Sequence, residues 1–325
     1  MKRIFLCGFY GCGNLGDDAI LLALIKGFRT VIPDVELICS IGADANFLRG
    51  LDSEAAKVRT VPRMQFPALL CAIRESDMTV LGGGSLLQNA TGTRSLCYYL
   101  SVLRVAQRFR KKTAILAGGL GPIDGAFPRR MTASVLKRLD YASFRDRIAA
   151  QTAAALGVAS PRVSADPALL LRSGRASHPL PAEHFFLVAL RKRTGVSVSE
   201  STEKILDIAR RIGAPPVFCD LFPKEDAAYT AAVLRAYRQS TGTEAIYFPV
   251  ASPEALSAVI RGARLVYTAR YHAALFAYAE GIPLETVGND PKLCAIARET
   301  RSPKEARTVL CSDLLRFSEI FSEKL

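Results

Sequence analysis

The sequence predicts an α/β protein built as two Rossmann-like, doubly wound domains facing a cleft. Three observations carry that expectation. Apolar runs of strand length alternate with segments of helical period from end to end, the pattern that builds βαβ units around a parallel sheet. The chain has 325 residues, more than one core of roughly 100 to 200 residues usually accommodates. Between the halves, SGRASHPLPAEH at 173–184 breaks the alternation with Gly, Ser, two prolines and two histidines, the composition of an interdomain connection. The expected division is therefore a first domain at 1–172, a linker at 173–184, a second domain at 185–300 and a charged helical tail at 301–325 that can pack back on the first domain.

In the first half the expected strands are KRIFLCG, VELICS, MTVLGG, KTAILAGG and YASFRD, with helices at 18–29, 95–109, 130–137 and 147–156. In the second half, strands FFLVAL, PVFCDLF, AIYFP, RLVYTA and PLETVG alternate with helices at 202–212, 226–239, 253–262 and 272–280. Ser252 followed by Pro253 is a good helix start, and Gly281 a good stop. Ligands in such sheets bind at the carboxyl ends of the strands, so the chemistry is sought there.

Composition narrows the classes. With 50% hydrophobic and 22% charged residues the chain is neither disordered nor collagen-like. Its 8 cysteines sit mostly inside apolar runs and form no CxxC pair, which reads as core thiols in a reducing compartment and gives no zinc site. The opening segment resembles a signal peptide only superficially, because glycines interrupt it and Asp17 and Asp18 end it. No stretch reaches the roughly 18 apolar residues needed to span a bilayer, and a cytoplasmic location is expected. The net charge of +13 favours anionic partners, whether nucleic acid, an acidic membrane surface or a small phosphorylated or carboxylated substrate. No RNA-binding aromatic motif or zinc-finger spacing surrounds the basic groups at 108–112, 129–130 and 191–193, so nucleic acid is not expected.

Gly11-Cys12-Gly13-Asn14-Leu15-Gly16 matches the dinucleotide fingerprint between a strand and a helix. Asp17 and Asp18 argue against it, since they place two carboxylates where a pyrophosphate would need backbone N–H groups. Glu36 is spaced as a ribose ligand but lies early in its strand. Two readings of the acids stay open: helix-start residues favourable to the dipole, or, beside Asn14, groups that bind or deprotonate a sugar hydroxyl. The second turn, Gly82-Gly83-Gly84-Ser85-Leu86-Leu87-Gln88-Asn89, allows close approach to the backbone, and with Ser85, Gln88, Asn89, Thr91 and Arg94 it offers polar groups suited to carbohydrate. Ala117-Gly118-Gly119-Leu120-Gly121-Pro122 repeats the device one strand later.

In the second half, Arg270-Tyr271-His272 falls where a strand gives way to a helix, Lys292 follows the next strand, and Arg191 and Lys192 follow FFLVAL. Each cation alone reads as surface charge; three strand ends delivering cations to one sheet edge read as an anion site. His272 alone among 3 histidines has such a context and is the expected proton donor or acceptor. His178 and His184 lie in the linker.

These segments together resemble the polysaccharide pyruvyl transferase family, in particular its bacterial wall-polymer branch. The resemblance rests on GFYGCGNLGDDAIL, GGGSLLQNATGTRSLCYYL, AGGLGP, FRDR, ADPALLL, ALR and TARYHAALFAYAEGIPLETVGNDPKL, in order over residues 1–300. It implies a fold like that of GT-B glycosyltransferases, phosphoenolpyruvate as donor substrate, no separate cofactor and no metal. It implies that Arg270, Tyr271 and His272, with Arg191 and Lys192, face the donor, and that Lys292 matches a functional lysine. The family commonly has leucine where Tyr271 stands, and ALRKRTG lacks the aromatic residue often found after its arginine. On this reading His272 is the acid, Asp17 or Asp18 the base, and Asn14, Gly16, Gly84, Ser85, Gln88 and Asn89 the acceptor rim. The expected acceptor is a glycan or lipid-linked saccharide, and the positive charge beyond these cations suits peripheral contact with an anionic membrane at its inner face. The alternative is a GT-B nucleotide-sugar glycosyltransferase, which the same two-domain plan allows. A noncatalytic polyanion-binding protein is the third.

Overall fold

Strands buried on both faces need helices above and below them, and the chain supplies these in two units of a computed structural model. The structure describes residues 2–45, 48, 58–90, 92–171, 182–288 and 290–323. The first unit comprises Met1–Cys12, Asp17–Leu170 and Lys304–Leu325, and the second Gly13–Gly16 and Leu171–Pro303. Of the expected linker only 182–184 are described; Thr91 and His178 fall outside the described residues.

The first unit runs β1 (Arg3–Cys7), α1 (Leu15–Val31), β2 (Glu36–Ile41), β3 (Val58–Pro62), α2 (Phe66–Glu75), β4 (Met78–Gly82), α3 (Thr93–Arg108), β5 (Lys112–Gly118), α4 (Ala126–Leu136), β6 (Tyr141–Phe144), α5 (Arg147–Ala155) and β7 (Arg162–Val163). Its sheet is parallel, in the order β3-β2-β1-β4-β5-β6-β7. The central strands RIFLC, MTVLG and KTAILAG are near-continuous apolar runs because both of their faces are covered. Strand order reverses between β1 and β4, so the two glycine turns that follow these strands flank the sheet's crevice.

One face is covered by α2, α3, α4 and α5, whose Leu69, Ile73, Leu100, Leu103, Val135 and Ala153 share a core with Phe5, Leu81 and Ile115. On the other, α1 packs against the last helix, α11 (Pro303–Ser322). Phe317 meets Phe28 and Tyr141 at centroid distances of 5.2 and 5.6 Å, and the Tyr141 hydroxyl donates to Asp313 Oδ1 at 2.5 Å. Lys112 Nζ donates to the carbonyls of Ile320 and Glu323, both at 2.7 Å, and Lys2 Nζ to those of Phe321 and Ser322 at 3.1 and 2.9 Å. Two ammonium groups therefore satisfy the last carbonyls of α11 at the negative end of its dipole.

The second unit runs β8 (Phe186–Ala189), α6 (Val198–Ile212), β9 (Pro216–Phe218), α7 (Pro223–Thr241), β10 (Ile246–Tyr247), α8 (Pro253–Gly262), β11 (Val266–Thr268), α9 (Tyr271–Glu280), β12 (Leu284–Thr286) and α10 (Pro291–Ala297). Its parallel sheet has the order β10-β9-β8-β11-β12, with the reversal between β8 and β11. Helix boundaries follow local chemistry. Ser197 and Glu200 form a capping box on α6, Ser252 accepts from Ala255 N–H on α8, and Gly281 ends α9 at φ 71°.

Sequence reasoning missed β3, α2, the two-residue β7 and α10. The pattern of β3 is largely polar-facing because it is an edge strand, and α10 is only 7 residues long. All eight cysteines are free thiols. Among the described residues no helix is long and apolar enough to cross a membrane.

Candidate functional site

In the first unit the glycine turn after β1 is held by its own acids. Asp18 Oδ1 accepts the Gly11 N–H at 2.7 Å, and Gly11 sits at φ 65° with Ile41 and Asp44 against the position of a Cβ. The carboxylate thus stabilises a left-handed turn that only glycine fits. Asp18 is 6% exposed, and burial pushes its carboxyl up to about 7, against the pull of the Gly11 hydrogen bond. Asp17 is less buried, and its Oδ1 lies 3.1 Å from where a Cβ of Gly84 would stand. The pair is therefore divided: Asp18 fixes one glycine turn and Asp17 lies against the other.

An acid raised above its unfolded value loses stability as pH rises, because the folded state must give up a proton it prefers to keep. Asp18 contributes such a loss from about pH 4 to pH 7, worth about 1.4 kcal/mol per pH unit. Asp18→Asn keeps the Oδ1 acceptor without the charge. Its melting temperature is expected to match the parent near pH 4 and to exceed it increasingly up to pH 7, as read by thermal unfolding across pH.

Gly83 and Gly84 adopt φ 61° and 65°, and Ser85, Gln88 and Asn89 follow them in the first unit. Asn89 is committed to structure, with Nδ2 donating to the Asp124 carbonyl at 2.8 Å and Oδ1 accepting from Asp124 N–H at 2.9 Å. Those bonds tie the second glycine turn to the third. Ser85 Oγ accepts from Arg145 Nη2 at 2.8 Å, while Arg145 Nη1 donates to Asp166 Oδ2 at 3.2 Å. Asp146, next in FRDR, caps α5 by accepting from Ala149 N–H at 2.7 Å. FRDR and ADPALLL thus act together to hold Ser85.

Arg63, just beyond β3, is a cation that sequence reasoning missed. Its guanidinium lies over the Phe9 and Tyr98 rings at 4.9 and 5.3 Å, and donates to Cys12 Sγ at 3.3 Å and Tyr99 Oη at 3.1 Å. No periodicity marked β3, so nothing placed Arg63 at a strand end.

The second unit gathers the other candidates. Thr268 of β11 pairs with Ala189 of β8, so Arg270 and Arg191 leave adjacent strands at matching positions. Arg270 is 9% exposed and Asp226 wholly buried. Its Nε donates to Asp226 Oδ2 at 2.7 Å and its Nη2 to Oδ1 at 2.5 Å, a bidentate fork. Glu225 stands 3.7 Å from the same guanidinium, and the Phe222 ring lies 5.7 Å beneath it. Asp226 is the other residue missed from sequence; it sits in the first turn of α7, where the dipole also favours an acid.

Arg191 differs from Arg270. Burial, and then the neighbouring Arg270, lower its pKa, and its Nε is buried with no hydrogen-bond partner. Lys192 is exposed, in a short 3-10 turn spanning Lys192–Thr194. Lys292 is the second residue of α10, where its N–H donates to Asp290 Oδ1 at 2.9 Å. Tyr271 and His272 open α9 with their rings edge-on at 5.2 Å.

Gly13–Gly16 clusters with this second unit, so Asn14 and Gly16 stand apart from Gly84 to Asn89 in the assignment of units. Leu15 N–H donates to the Leu221 carbonyl at 2.9 Å, and Asn14 Oδ1 accepts from Gly16 N–H at 3.2 Å. A Cβ on Gly16 would run into the His272 imidazole. Among the described residues no three His, Cys, Asp or Glu side chains are placed to hold a metal ion.

The arrangement is two parallel sheets whose carboxyl ends carry glycine turns in one unit and paired arginines in the other. Solved structures with this fold include UDP-N-acetylglucosamine 2-epimerases. The enzyme from Methanocaldococcus jannaschii matches at TM-score 0.62 and 15% identity, covering 99% of this chain and 99% of that one. That from Rickettsia bellii matches at 0.57 and 11%, covering 99% and 94%. That from Neisseria meningitidis, bound to UDP-GlcNAc, matches at 0.54 and 9%, covering 99% and 93%. At such identities the likeness establishes two Rossmann-like domains of the GT-B type and goes no further. No curated protein matches the sequence at a significant level. The family model that does match is described as polysaccharide pyruvyl transferase and covers residues 14–291, a span that takes in the last residues of the first glycine turn, the whole of the second, the Arg145–Asp166 support and the paired arginines. By that match the chain belongs to the polysaccharide pyruvyl transferase family.

Proposed function

We propose that the protein moves pyruvate from phosphoenolpyruvate onto two hydroxyls of a sugar in a wall or surface polysaccharide precursor, as a cyclic ketal, releasing phosphate. The observation that carries this reading is Arg191 beside Arg270. Arg270 is neutralised by Asp226, whereas Arg191 is half-buried with an unpaired Nε next to a like charge. A dianionic or trianionic ligand at the carboxyl ends of β8 and β11 relieves that arrangement, and phosphoenolpyruvate brings a carboxylate and a phosphate suited to guanidinium forks. Lys192 and Lys292 supply further positive charge at the same sheet edge.

In the reaction His272 gives a proton to the methylene carbon of the donor, and C2 becomes oxocarbenium-like. One acceptor hydroxyl attacks C2 and loses its proton to Asp17, the less buried of the two acids. The second hydroxyl then attacks C2 as the C2–O bond to phosphate breaks, its proton leaves with the phosphate, and the ring closes. Holding two hydroxyls against one bound electrophile supplies the entropic share of the rate. Tyr271 packs edge-on against His272 and steadies its ring. Ser85 and Gln88 bind acceptor hydroxyls, with Gly84 and Gly16 allowing close approach and Asn14 and Asn89 shaping the turns.

The test separates binding from chemistry. Arg191→Ala is expected to raise KM for phosphoenolpyruvate at least tenfold, losing a charged hydrogen bond of about 1.5–3 kcal/mol. His272→Gln is expected to lower kcat about 10²- to 10⁴-fold with donor affinity retained. Unchanged turnover in His272→Gln removes the histidine from the mechanism.

A further inference from the structure

One edge of the first unit is unlike the rest of its surface. Helices α2, α3, α4 and α5 lie on one face of the sheet in a shared core, and each leaves the carboxyl end of a strand. Their first turns therefore line one edge. Seven large apolar side chains are exposed among the described residues, and four belong to this edge. Met64 and Phe66 stand where β3 gives way to α2, Phe127 in the first turn of α4 and Ile148 in the first turn of α5. The two phenylalanines are 63% and 73% exposed, and apolar groups gathered on one exposed surface mark an interaction site.

The charge on this edge has one sign in excess. Arg94, Arg129, Arg130 and Arg147 are exposed near the starts of α3, α4 and α5, and none takes part in an ion pair among the described residues. None of the four helices has an acid in its first turn. The acids nearby are Asp124 and Asp146, and Asp146 is engaged as the α5 cap and lies 3.7 Å from Arg145. Aromatic and aliphatic side chains interleaved with arginines suit the boundary of a bilayer, where apolar groups enter among the acyl chains and guanidiniums stay with phosphates.

We propose that this edge docks the first unit onto an anionic lipid bilayer. A two-fold contact between copies of the chain would set the same arginine row against itself, so charge complementarity favours the lipid surface over a second copy. Docking here would bring the glycine turns after β4 and β5, which lie along the same sheet edge, toward the membrane. A saccharide acceptor carried on lipid fits that placement. This last step rests on the pyruvyl transfer reading, whereas the docking surface does not.

The test is co-sedimentation of the full chain with vesicles of phosphatidylcholine alone and with phosphatidylglycerol added. Partition is expected to be at least about tenfold stronger on the anionic vesicles, and to fall when salt is raised to about 0.5 M. Phe127→Ser/Ile148→Ser and Arg129→Ser/Arg130→Ser are each expected to weaken it roughly tenfold, with circular dichroism melts unchanged. Failure to sediment with anionic vesicles, or binding that either double variant leaves unchanged, overturns the proposal. So does a dimer, seen by sedimentation velocity, that Phe127→Ser/Ile148→Ser converts to monomer without any change in vesicle affinity. No substrate enters the assay, so its failure is distinct from failure of the transferase reading.

Discussion

Arg270→Ala is expected to abolish measurable use of phosphoenolpyruvate and to lower stability by about 3–5 kcal/mol, the cost of leaving one partner of a buried pair alone. Two losses coincide in this variant. On the proposed reading the donor loses a guanidinium whose orientation Asp226 sets through its Nε–Nη2 edge. Asp226, wholly buried, is left with a charge that burial already disfavours. Denaturant unfolding reads the second loss, and donor titration the first. Arg191→Ala provides the contrast, because Arg191 takes part in no ion pair among the described residues, and its removal orphans no buried acid. It should impair donor binding with little loss of stability. Equal destabilisation in the two variants would show that Arg191 supports the fold in a way its contacts do not reveal.

Gly16→Ala is the second large effect, and its sign is unusual. Gly16 lies in the first turn of α1 without a left-handed φ. An alanine there should ordinarily favour the helix by about 1 kcal/mol. The added Cβ, however, meets the ring of His272, so the imidazole must leave its place at the start of α9. Turnover is expected to fall about a hundredfold or more, the loss that follows a misplacement of about 1 Å in a catalytic group. Steady-state kinetics alongside a thermal melt checks this. A variant that is more stable and fully active would mean that the position of His272 against Gly16 has no part in the chemistry.

Much of this molecule can be read from its sequence because its central strands are simple. RIFLC, MTVLG and KTAILAG are continuous apolar runs bounded by glycine, and a strand covered on both faces permits little else. The existence of β1, β4 and β5 and the glycine turns after them follow from that pattern, while their neighbourhood in the sheet is a finding of the structure. Arg270, His272 and Arg191 were recognisable for the same reason, since each stands just beyond such a run. Edge strand β3 could not be read, because a half-exposed strand leaves a mixed pattern that also fits a loop, and Arg63 was missed with it. Asp226 was missed because an acid in a first helical turn usually needs no explanation beyond the dipole. Only the fold, which brings the first turn of α7 to the residue just before α9, makes it the counter-ion of Arg270. The different fates of Asp17 and Asp18 were equally hidden, since adjacent residues in a helix point about 100° apart and only tertiary contacts decide which is buried.

The central claim is that the anion held beside Arg191 and Arg270 is phosphoenolpyruvate and that its pyruvyl group goes to sugar hydroxyls. The most direct measurement supplies purified protein with phosphoenolpyruvate and a panel of glycans and lipid-linked saccharides, and follows phosphate release together with formation of an acid-labile ketal. The account predicts phosphate and ketal in equal amounts, both dependent on acceptor and both lost in His272→Gln. Sugar transfer or epimerisation from a nucleotide sugar, with phosphoenolpyruvate left intact across the panel, would contradict it.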